Sequence, residues 1–471
     1  MTSDRTGNLR YLMFVCSVSA LGGFLFGFDT AVISGTVGFV KAQFGLNALQ
    51  EGWFVASALL GCILGVTSAG ILADRFGRKA VLFLSAVLFA LSAVGCTFAP
   101  GEIVLIFSRI VGGLGIGVAS MLAPLYISEI SIPAYRGRMV TLYQLAITVG
   151  ILAAYYSNAL LLSWSNTYAG ESAVLRWIVA GQVWRGMFAV GVVPAALFFL
   201  LLFFIPQSPR WLTARGRADE ARTILARVNG PETAAREVAE IQAALAQETG
   251  SMRQLFAPGL RRALFLGVSI AVLSQLTGIN VIIYYGPKIF TEAGFRISES
   301  LDSQVIIGIV NVLATVLALW KIDHFGRKPL LLAGVIGMLA ALLCIAGFFL
   351  AGSHSSVLLV VCILLYVTCF AFSFGCVTWT ILAEFYPTHI RGRAMSIATF
   401  TLWSGTFIIG QAFPWLLETL GGAGAFAVFA CMCVPAILIT WKLLPETKGK
   451  TLEEIEQFWL RGARAGGSSA P

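Results

Sequence analysis

Long apolar runs, recurring at short intervals and broken by clusters of arginine and lysine, govern what this chain can fold into. A helix needs about twenty apolar residues to cross the ~30 Å hydrocarbon core of a bilayer. Runs of that length fall near residues 11–36, 52–73, 80–98, 103–127, 139–162 and 184–205, and again near 262–292, 303–322, 329–351, 356–383, 394–417 and 423–444. In hydrocarbon every backbone N–H and C=O needs a partner within the chain, so such runs read as helices. Only 12% of the 471 residues are charged and 58% are hydrophobic, against roughly 25% charged in soluble domains. That balance excludes an ordinary soluble enzyme, a disordered chain and a disulfide scaffold. The nine cysteines lie within apolar runs and are expected as packed thiols. The first run extends well past a signal peptide's apolar core, so no cleavable signal is expected.

The expected fold class is an all-α membrane protein with twelve transmembrane helices in two six-helix bundles. Residues 1–206 form the first bundle and 259–445 the second, with a cytoplasmic tail over 446–471. Between the bundles, 207–258 is the one long polar stretch. Its segments Ala218–Arg227 and Thr233–Gln247 have helical periodicity and are rich in Ala, Arg and Glu, which predicts a short cytoplasmic helical linker.

A net charge of +9 by itself suggests nucleic acid, but its placement argues against that partner. Arg75/Arg78/Lys79, Arg136/Arg138, Arg327/Lys328 and Arg391/Arg393 follow alternate spans, whereas the opposite loops carry mainly Lys41, Arg176 and Arg296. This is the positive-inside pattern, and with an even span count it places both termini in the cytoplasm. The halves also repeat. Asp74-Arg75-Phe76-Gly77-Arg78-Lys79 recurs as Asp323-His324-Phe325-Gly326-Arg327-Lys328. Glu129 stands seven residues before Arg136-Gly137-Arg138, as Glu384 does before Arg391-Gly392-Arg393. A duplicated six-helix unit implies two bundles rocking around a central site.

Asp29 is the sole charge between Arg10 and Lys41, and Arg109 the sole charge between Glu102 and Glu129. Intramembrane charges are costly and mark function by default, so the two are expected to pair. Burial favours a neutral carboxylic acid and a nearby guanidinium favours the carboxylate, the makings of a proton carrier. A static ion pair pinning two helices is the other reading. On the cytoplasmic side, Asp74, Arg78, Glu129 and Arg136 are expected to pair when the helix ends close, as are Asp323, Arg327, Glu384 and Arg391. The alternative is a solvated basic face whose pairs contribute little.

Uncharged polar residues mark a substrate path. Gln144, Gln275, Asn280 and Asn311 stand in apolar spans, and amides both donate to and accept from hydroxyls; any one of them can instead serve an interhelical hydrogen bond. Asn280 and Tyr284 share a helix face. Gln275 and Asn280 are about 140° apart on a regular helix, too wide for one small ligand unless Gly278 breaks the helix. Trp379 and Trp403 suit stacking on the C–H face of a sugar ring. Gly112-Gly113-Leu114-Gly115-Ile116-Gly117 lacks the spacing and flanking strand of a nucleotide fold, and Gly113 and Gly117 give helix packing instead. No phosphate loop, metal cluster or nucleophile elbow is found, so neither a cofactor nor a metal is expected, and His324, His354 and His389 are assigned no chemistry.

Taken together, these stretches resemble the sugar porter family of the major facilitator superfamily over nearly the whole chain. The resemblance is carried by Gly27-Phe28-Asp29-Thr30-Ala31-Val32-Ile33-Ser34-Gly35, Asp74 to Lys79, Arg109 to Gly117, Glu129 to Arg138, Pro206-Gln207-Ser208-Pro209-Arg210-Trp211-Leu212, Gln275 to Tyr285 and Pro445-Glu446-Thr447-Lys448-Gly449. Bacterial xylose–proton symporters look most similar, with animal facilitative glucose transporters more distant.

The resemblance implies a proton-coupling role for Asp29 and Arg109. It implies sugar contacts for Gln144, Gln275, Asn280, Asn311 and Trp379, and a pocket lining that includes Phe26, Ile151, Tyr284, Gly375 and Trp403. It also implies a cytoplasmic gate of Glu129, Arg136, Glu384 and Arg391, with Glu446 in the tail motif. The chain departs from the family pattern at Ser274 (often glutamine), Leu402 (often asparagine or glutamine), Ile151 (glutamine in the xylose symporters) and Gln207 (usually glutamate). Each lost amide removes about 1 kcal/mol of net hydrogen bonding, enough to shift which sugar is preferred. The expected function is import of a monosaccharide with a proton across a bacterial inner membrane, by a chain active as a monomer in the lipid bilayer. A proton-independent facilitator, a non-transporting sugar sensor and a drug–proton antiporter are the alternatives.

Overall fold

The computed structural model describes residues 8–448 except 132–134, 169, 171, 248–254, 258–259, 353–355 and 387–389, together with Glu454 and Trp459. The described residues contain helices and no strand. In chain order the helices are α1 (Leu9–Phe44), α2 (Ala48–Phe76), α3 (Arg78–Phe98), α4 (Glu102–Ile130), α5 (Arg136–Thr167), α6 (Ala173–Leu175), α7 (Val183–Val190), α8 (Val192–Leu201) and α9 (Pro209–Ala214). They continue as α10 (Ala218–Asn229), α11 (Pro231–Gln247), α12 (Leu260–Leu276), α13 (Ile279–Glu292), α14 (Ile297–Phe325), α15 (Arg327–Leu350), α16 (Ser356–Phe370), α17 (Cys376–Glu384) and α18 (Arg391–Lys442).

Among the described residues, eleven helical segments are long and apolar enough to cross a membrane. The last of them conceals two crossings. α18 has 52 residues, ~78 Å at 1.5 Å per residue, more than twice a bilayer core. At Gly421 the backbone leaves helical geometry (φ 65°, ψ 178°), dividing α18 into two lengths that each suit one span. Counted that way, the described residues hold twelve spans. Side chains such as Ile71, Ile103, Phe107, Leu313, Trp320 and Val357 point outward and exposed. This is the surface of a protein whose solvent is lipid tails.

The chain divides into two compact units, Met1–Phe44 with Ser57–Glu248, and Gly45–Ala56 with Thr249–Pro471. In the first, α1 packs along α5 and α4, and α3 packs on α4. Ser19 Oγ donates to the Ala123 carbonyl at 3.2 Å and Asn158 Nδ2 to the Val32 carbonyl at 3.2 Å. The glycine run lies inside α4, where a Cβ on Gly113 would stand 1.9 Å from the Ala58 carbonyl oxygen and one on Gly117 2.2 Å from that of Cys62. Without hydrophobic pressure between helices in lipid, such backbone approach is what lets dispersion hold them together.

Helices α9–α11 belong with the first unit. They have a small core of their own, built on Leu212, Ala221, Leu225, Ala234 and Val238. In the second unit α15 and α12 pack against α18, and α16 against α15. All nine cysteines are free; Cys16, Cys62, Cys96, Cys362, Cys376 and Cys433 are buried, and Cys344 and Cys431 are exposed on the outer surface.

Candidate functional site

Asp29, on α1, and Arg109, on α4, meet inside the first unit. Arg109 Nη1 donates to Asp29 Oδ2 at 3.0 Å, and their side chains are 3% and 17% exposed respectively. The guanidinium lies 5.8 Å from the Phe188 ring centre. A small, largely apolar cavity beside the carboxylate is walled by Leu25, Phe28, Val32, Phe89, Ala93, Phe188 and Gly191. In the same unit Phe26 and Gln144 are half-buried and Ile151 is buried. Gln144 and Ile151 lie seven residues apart on α5 and share a face.

The polar cluster of the second unit depends on a break in the chain. α12 stops at Leu276 and Gly278 adopts φ 93°, ψ 17°, a left-handed conformation that costs an L-residue about 1–2 kcal/mol. A Cβ there would also stand 2.8 Å from the Phe429 ring. The Tyr366 hydroxyl donates to the Thr277 carbonyl at 2.8 Å, taking up one of the acceptors that the break frees. The chain re-enters a helix at Ile279, which brings Asn280 Nδ2 within 2.5 Å of Gln275 Oε1.

Two hydroxyls complete this group. Thr406 Oγ1, on α18, lies 3.0 Å from the same Gln275 oxygen, and Gln275 Nε2 donates to Ser274 Oγ at 2.9 Å. Tyr284, one turn beyond Asn280, and Trp403, one turn before Thr406, are buried. Asn311 on α14 is half-buried. Gly375 ends the π-helical turn Ala371–Gly375 that leads into α17, where Trp379 is exposed. Among the described residues none of these last three is hydrogen-bonded to the Gln275–Asn280 pair.

The repeated charged motifs form one device, built twice. In the first unit Arg78 binds Glu129 through both Nε (3.0 Å to Oε2) and Nη2 (3.0 Å to Oε1), and its Nη1 reaches Asp74 at 3.3 Å. Ser208 Oγ donates to Glu129, and Gln207 Oε1 accepts the backbone N–H of Lys79 at 3.1 Å. In the second unit Arg327 Nη2 binds Glu384 at 2.9 Å and Thr447 Oγ1 donates to Glu384. Glu446 accepts the N–H groups of Arg327 (3.1 Å) and Lys328 (3.0 Å) at the start of α15.

Burial opposes ionisation of Glu446, but the N–H groups of Lys448, Arg327, Lys328 and Thr447 outweigh it and hold the carboxyl below the usual carboxylate range. The helix ends that precede these turns are served in parallel. Trp211 Nε1 and Arg215 Nη2 donate to the Asp74 carbonyl (3.0 and 2.8 Å), and Lys448 Nζ donates to the His324 carbonyl at 2.7 Å. These are carbonyls that a helix C-terminus leaves without intrahelical partners.

Arg136 stands exposed in the first turn of α5, and no ion pair involves it among the described residues. The side chains of Asp323 and Arg391, like His354 and His389, lie outside the described residues. The sequence reading missed Ser208, Thr447 and Thr406. The first two sit within motifs already noted, one residue after Gln207 and Glu446. Thr406 carries no local signal, because its hydroxyl also bonds the Leu402 carbonyl of its own helix at 2.9 Å and its partner Gln275 is 131 residues away.

Across residues 15–459 the chain matches the family described as "Sugar (and other) transporter". The chain belongs to this family. As a sugar-transporter family member it is a multi-pass membrane transporter and not an enzyme. It is 40% identical over 458 residues to an arabinose-proton symporter of Bacillus subtilis, covering 97% of each chain. It is 37% identical to the D-xylose-proton symporter of Escherichia coli K12, covering 96% of each. Among solved structures it is similar to the xylose transporter XylE from E. coli in an inward open conformation (TM-score 0.82, 34% identity, 95% of this chain and 100% of that one). It also resembles the proton:xylose symporter XylE bound to 6-bromo-6-deoxy-D-glucose (TM-score 0.81, 36% identity, 96% and 100%). These matches identify the fold as that of the major facilitator superfamily.

Proposed function

We propose that this chain imports a monosaccharide together with a proton by alternating access. The observation that carries the reading is the Asp29–Arg109 pair, at 3.0 Å in an apolar bundle. A carboxylate in such surroundings is tolerated only while paired. Protonation makes Asp29 neutral and releases Arg109, so each proton that enters switches a contact between α1 and α4. The functions for which the relatives are named, arabinose-proton and D-xylose-proton symport, support coupling of this kind.

Gln275 and Asn280, with Gln144, Asn311 and Trp379, are the sugar-binding residues, and Phe26, Ile151, Tyr284, Gly375 and Trp403 line the pocket. The Arg78–Glu129 and Arg327–Glu384 pairs, with Asp74, Arg136, Asp323, Arg391 and Glu446, form the cytoplasmic gate. It separates to release the sugar inside, after which Asp29 gives up its proton and takes back Arg109. The chain works as a monomer in a bacterial inner membrane with both termini in the cytoplasm, as the alternation of basic loops requires.

The test is sugar-induced proton uptake into proteoliposomes across pentoses, hexoses and polyols, with the wild type and Asp29→Asn. Alkalinisation outside with one sugar, lost in Asp29→Asn while sugar exchange continues, is the expected result. Sugar equilibration by the wild type without proton movement would replace symport with facilitated diffusion, and binding without transport would make the chain a sensor.

A further inference from the structure

The cluster around Gln275 has more hydrogen-bonding constraint than a pair of sugar-binding amides needs. Ser274 Oγ donates its single hydrogen to the Ala271 carbonyl at 2.7 Å, so towards Gln275 it acts only as an acceptor. The Gln275 group 2.9 Å from it is therefore the amide NH₂ and not the carbonyl oxygen. The amide oxygen then faces Asn280 Nδ2 at 2.5 Å and Thr406 Oγ1 at 3.0 Å; the one Thr406 hydrogen is shared between this oxygen and the Leu402 carbonyl at 2.9 Å, and a carbonyl oxygen has two acceptor positions. Both are filled. One of the two Nε2 hydrogens is committed to Ser274, and one remains. Ser274 is 2% and Thr406 1% exposed, so water does not compete for these contacts.

We infer that Ser274 and Thr406 are positioning residues that fix the Gln275 amide in one orientation, so that it meets the sugar as a hydrogen-bond donor only. The inference rests on the sugar-transport reading and adds a specificity determinant to it. It also recasts Ser274, whose short side chain turns its neighbour instead of merely removing an amide. Asn280, half-buried, supplies acceptor capacity that Gln275 no longer offers. The sugar hydroxyl at Gln275 is thereby required to accept, and its own hydrogen must go elsewhere.

The experiment measures dissociation constants of the full chain for its preferred sugar and for the matching monodeoxy and monofluoro analogues, since a C–F group accepts weakly but cannot donate. At one ring position the wild type is expected to hold the fluoro analogue within about threefold of the parent sugar and to bind the deoxy analogue about tenfold more weakly. Thr406→Val frees an acceptor position on Gln275 and lets the amide turn. The parent sugar then binds about fivefold more weakly, the transport KM rises by the same factor with little change in maximal rate, and the fluoro-to-deoxy ratio falls towards one.

Thr406→Ser restores the wild-type ratio, and Ser274→Ala, which removes the acceptor on the other side of the amide, lowers it. A Thr406→Val protein that melts like the wild type yet keeps the wild-type ratio would overturn the inference, as would equal loss of the fluoro and deoxy analogues by the wild type at every ring position. If the wild type binds no sugar in the panel, the transport reading fails with it. If the wild type transports sugar and the variants match it throughout, the positioning inference alone fails.

Discussion

Gln207→Glu and Glu446→Gln are a reciprocal pair of substitutions whose effects can be worked out from the structure. Glu446 places one oxygen on the Arg327 N–H and the other on the Lys328 N–H, at 3.1 and 3.0 Å. Gln207 has only one oxygen to offer, 3.1 Å from the Lys79 N–H, and its Nε2 is turned towards Gly77, where a Cβ would stand only 2.3 Å away. An amide NH₂ there faces the N–H end of a helix, whose partial positive charge favours an anion. Gln207→Glu replaces that donor with an acceptor and adds a charge. Hydrogen bonds to charged groups contribute about 1.5–3 kcal/mol against 0.5–1.5 for neutral ones. Partial exposure lowers the net gain to about 1–2 kcal/mol. Glu446→Gln should cost a similar amount.

Acid distinguishes the two proteins. The Glu446 carboxyl is held below its ordinary value, so its contribution is complete above about pH 4.5 and is lost as pH falls through the depressed folded-state value. Thermal unfolding in detergent, followed from about pH 2.5 to pH 7 so that it spans the window below about pH 4.5 where the contribution is lost, should show Glu446→Gln destabilised at pH 7 with a flatter acid limb. Gln207→Glu should be more stable at pH 7, with a steeper limb. If Gln207→Glu lowers the melting temperature at pH 7, or Glu446→Gln leaves the acid limb unchanged, the capping argument is wrong.

Two other substitutions test the geometry. Gly278→Ala forces an L-residue into φ 93° against the Phe429 ring. It should lower thermal stability by about 2 kcal/mol or more and weaken sugar binding at least tenfold, by moving Asn280 away from Gln275; a binding titration with the preferred sugar checks this. Gly113→Ala puts a methyl 1.9 Å from the Ala58 carbonyl and should destabilise the first unit by about 1–3 kcal/mol, seen as a lower melting temperature, while a sugar-binding constant measured below that temperature stays within twofold.

Lipid makes a fold of this kind unusually readable, because a spanning segment must be helical, about twenty residues long and apolar throughout. The one place where span counting from helices goes astray, α18, is marked in the sequence by the Gly421-Gly422 pair between its apolar runs. The charged pairs were legible for the opposite reason: Asp29 and Arg109 stand alone in hydrocarbon, and Arg78 and Arg327 recur at matched positions. Hydroxyl groups were not legible. Thr406 is one of many threonines in apolar helices, most of which bond their own helix carbonyls, and only the break at Gly278 turns Gln275 towards it. Ser208 and Thr447 likewise become visible only once their hydroxyls are seen to reach Glu129 and Glu384 beside the arginines. The docking of α9 on the end of α2 escaped for a similar reason, since carbonyls that need capping leave no trace in residue identity.

The duplicated caps change what the segment 206–215 is. Pro206-Gln207-Ser208 holds the start of α3 and Glu129 as Pro445-Glu446-Thr447 holds the start of α15 and Glu384. What joins the halves therefore begins as the tail of the first copy, and α10 and α11 are an addition spliced on after it. A chain cut between Gln247 and Leu255 would leave both fragments with their own closing segment, so separately expressed halves should assemble into a working whole. A cut placed before Pro206 would strip one fragment of its seal, as would a fusion partner attached directly at Leu444.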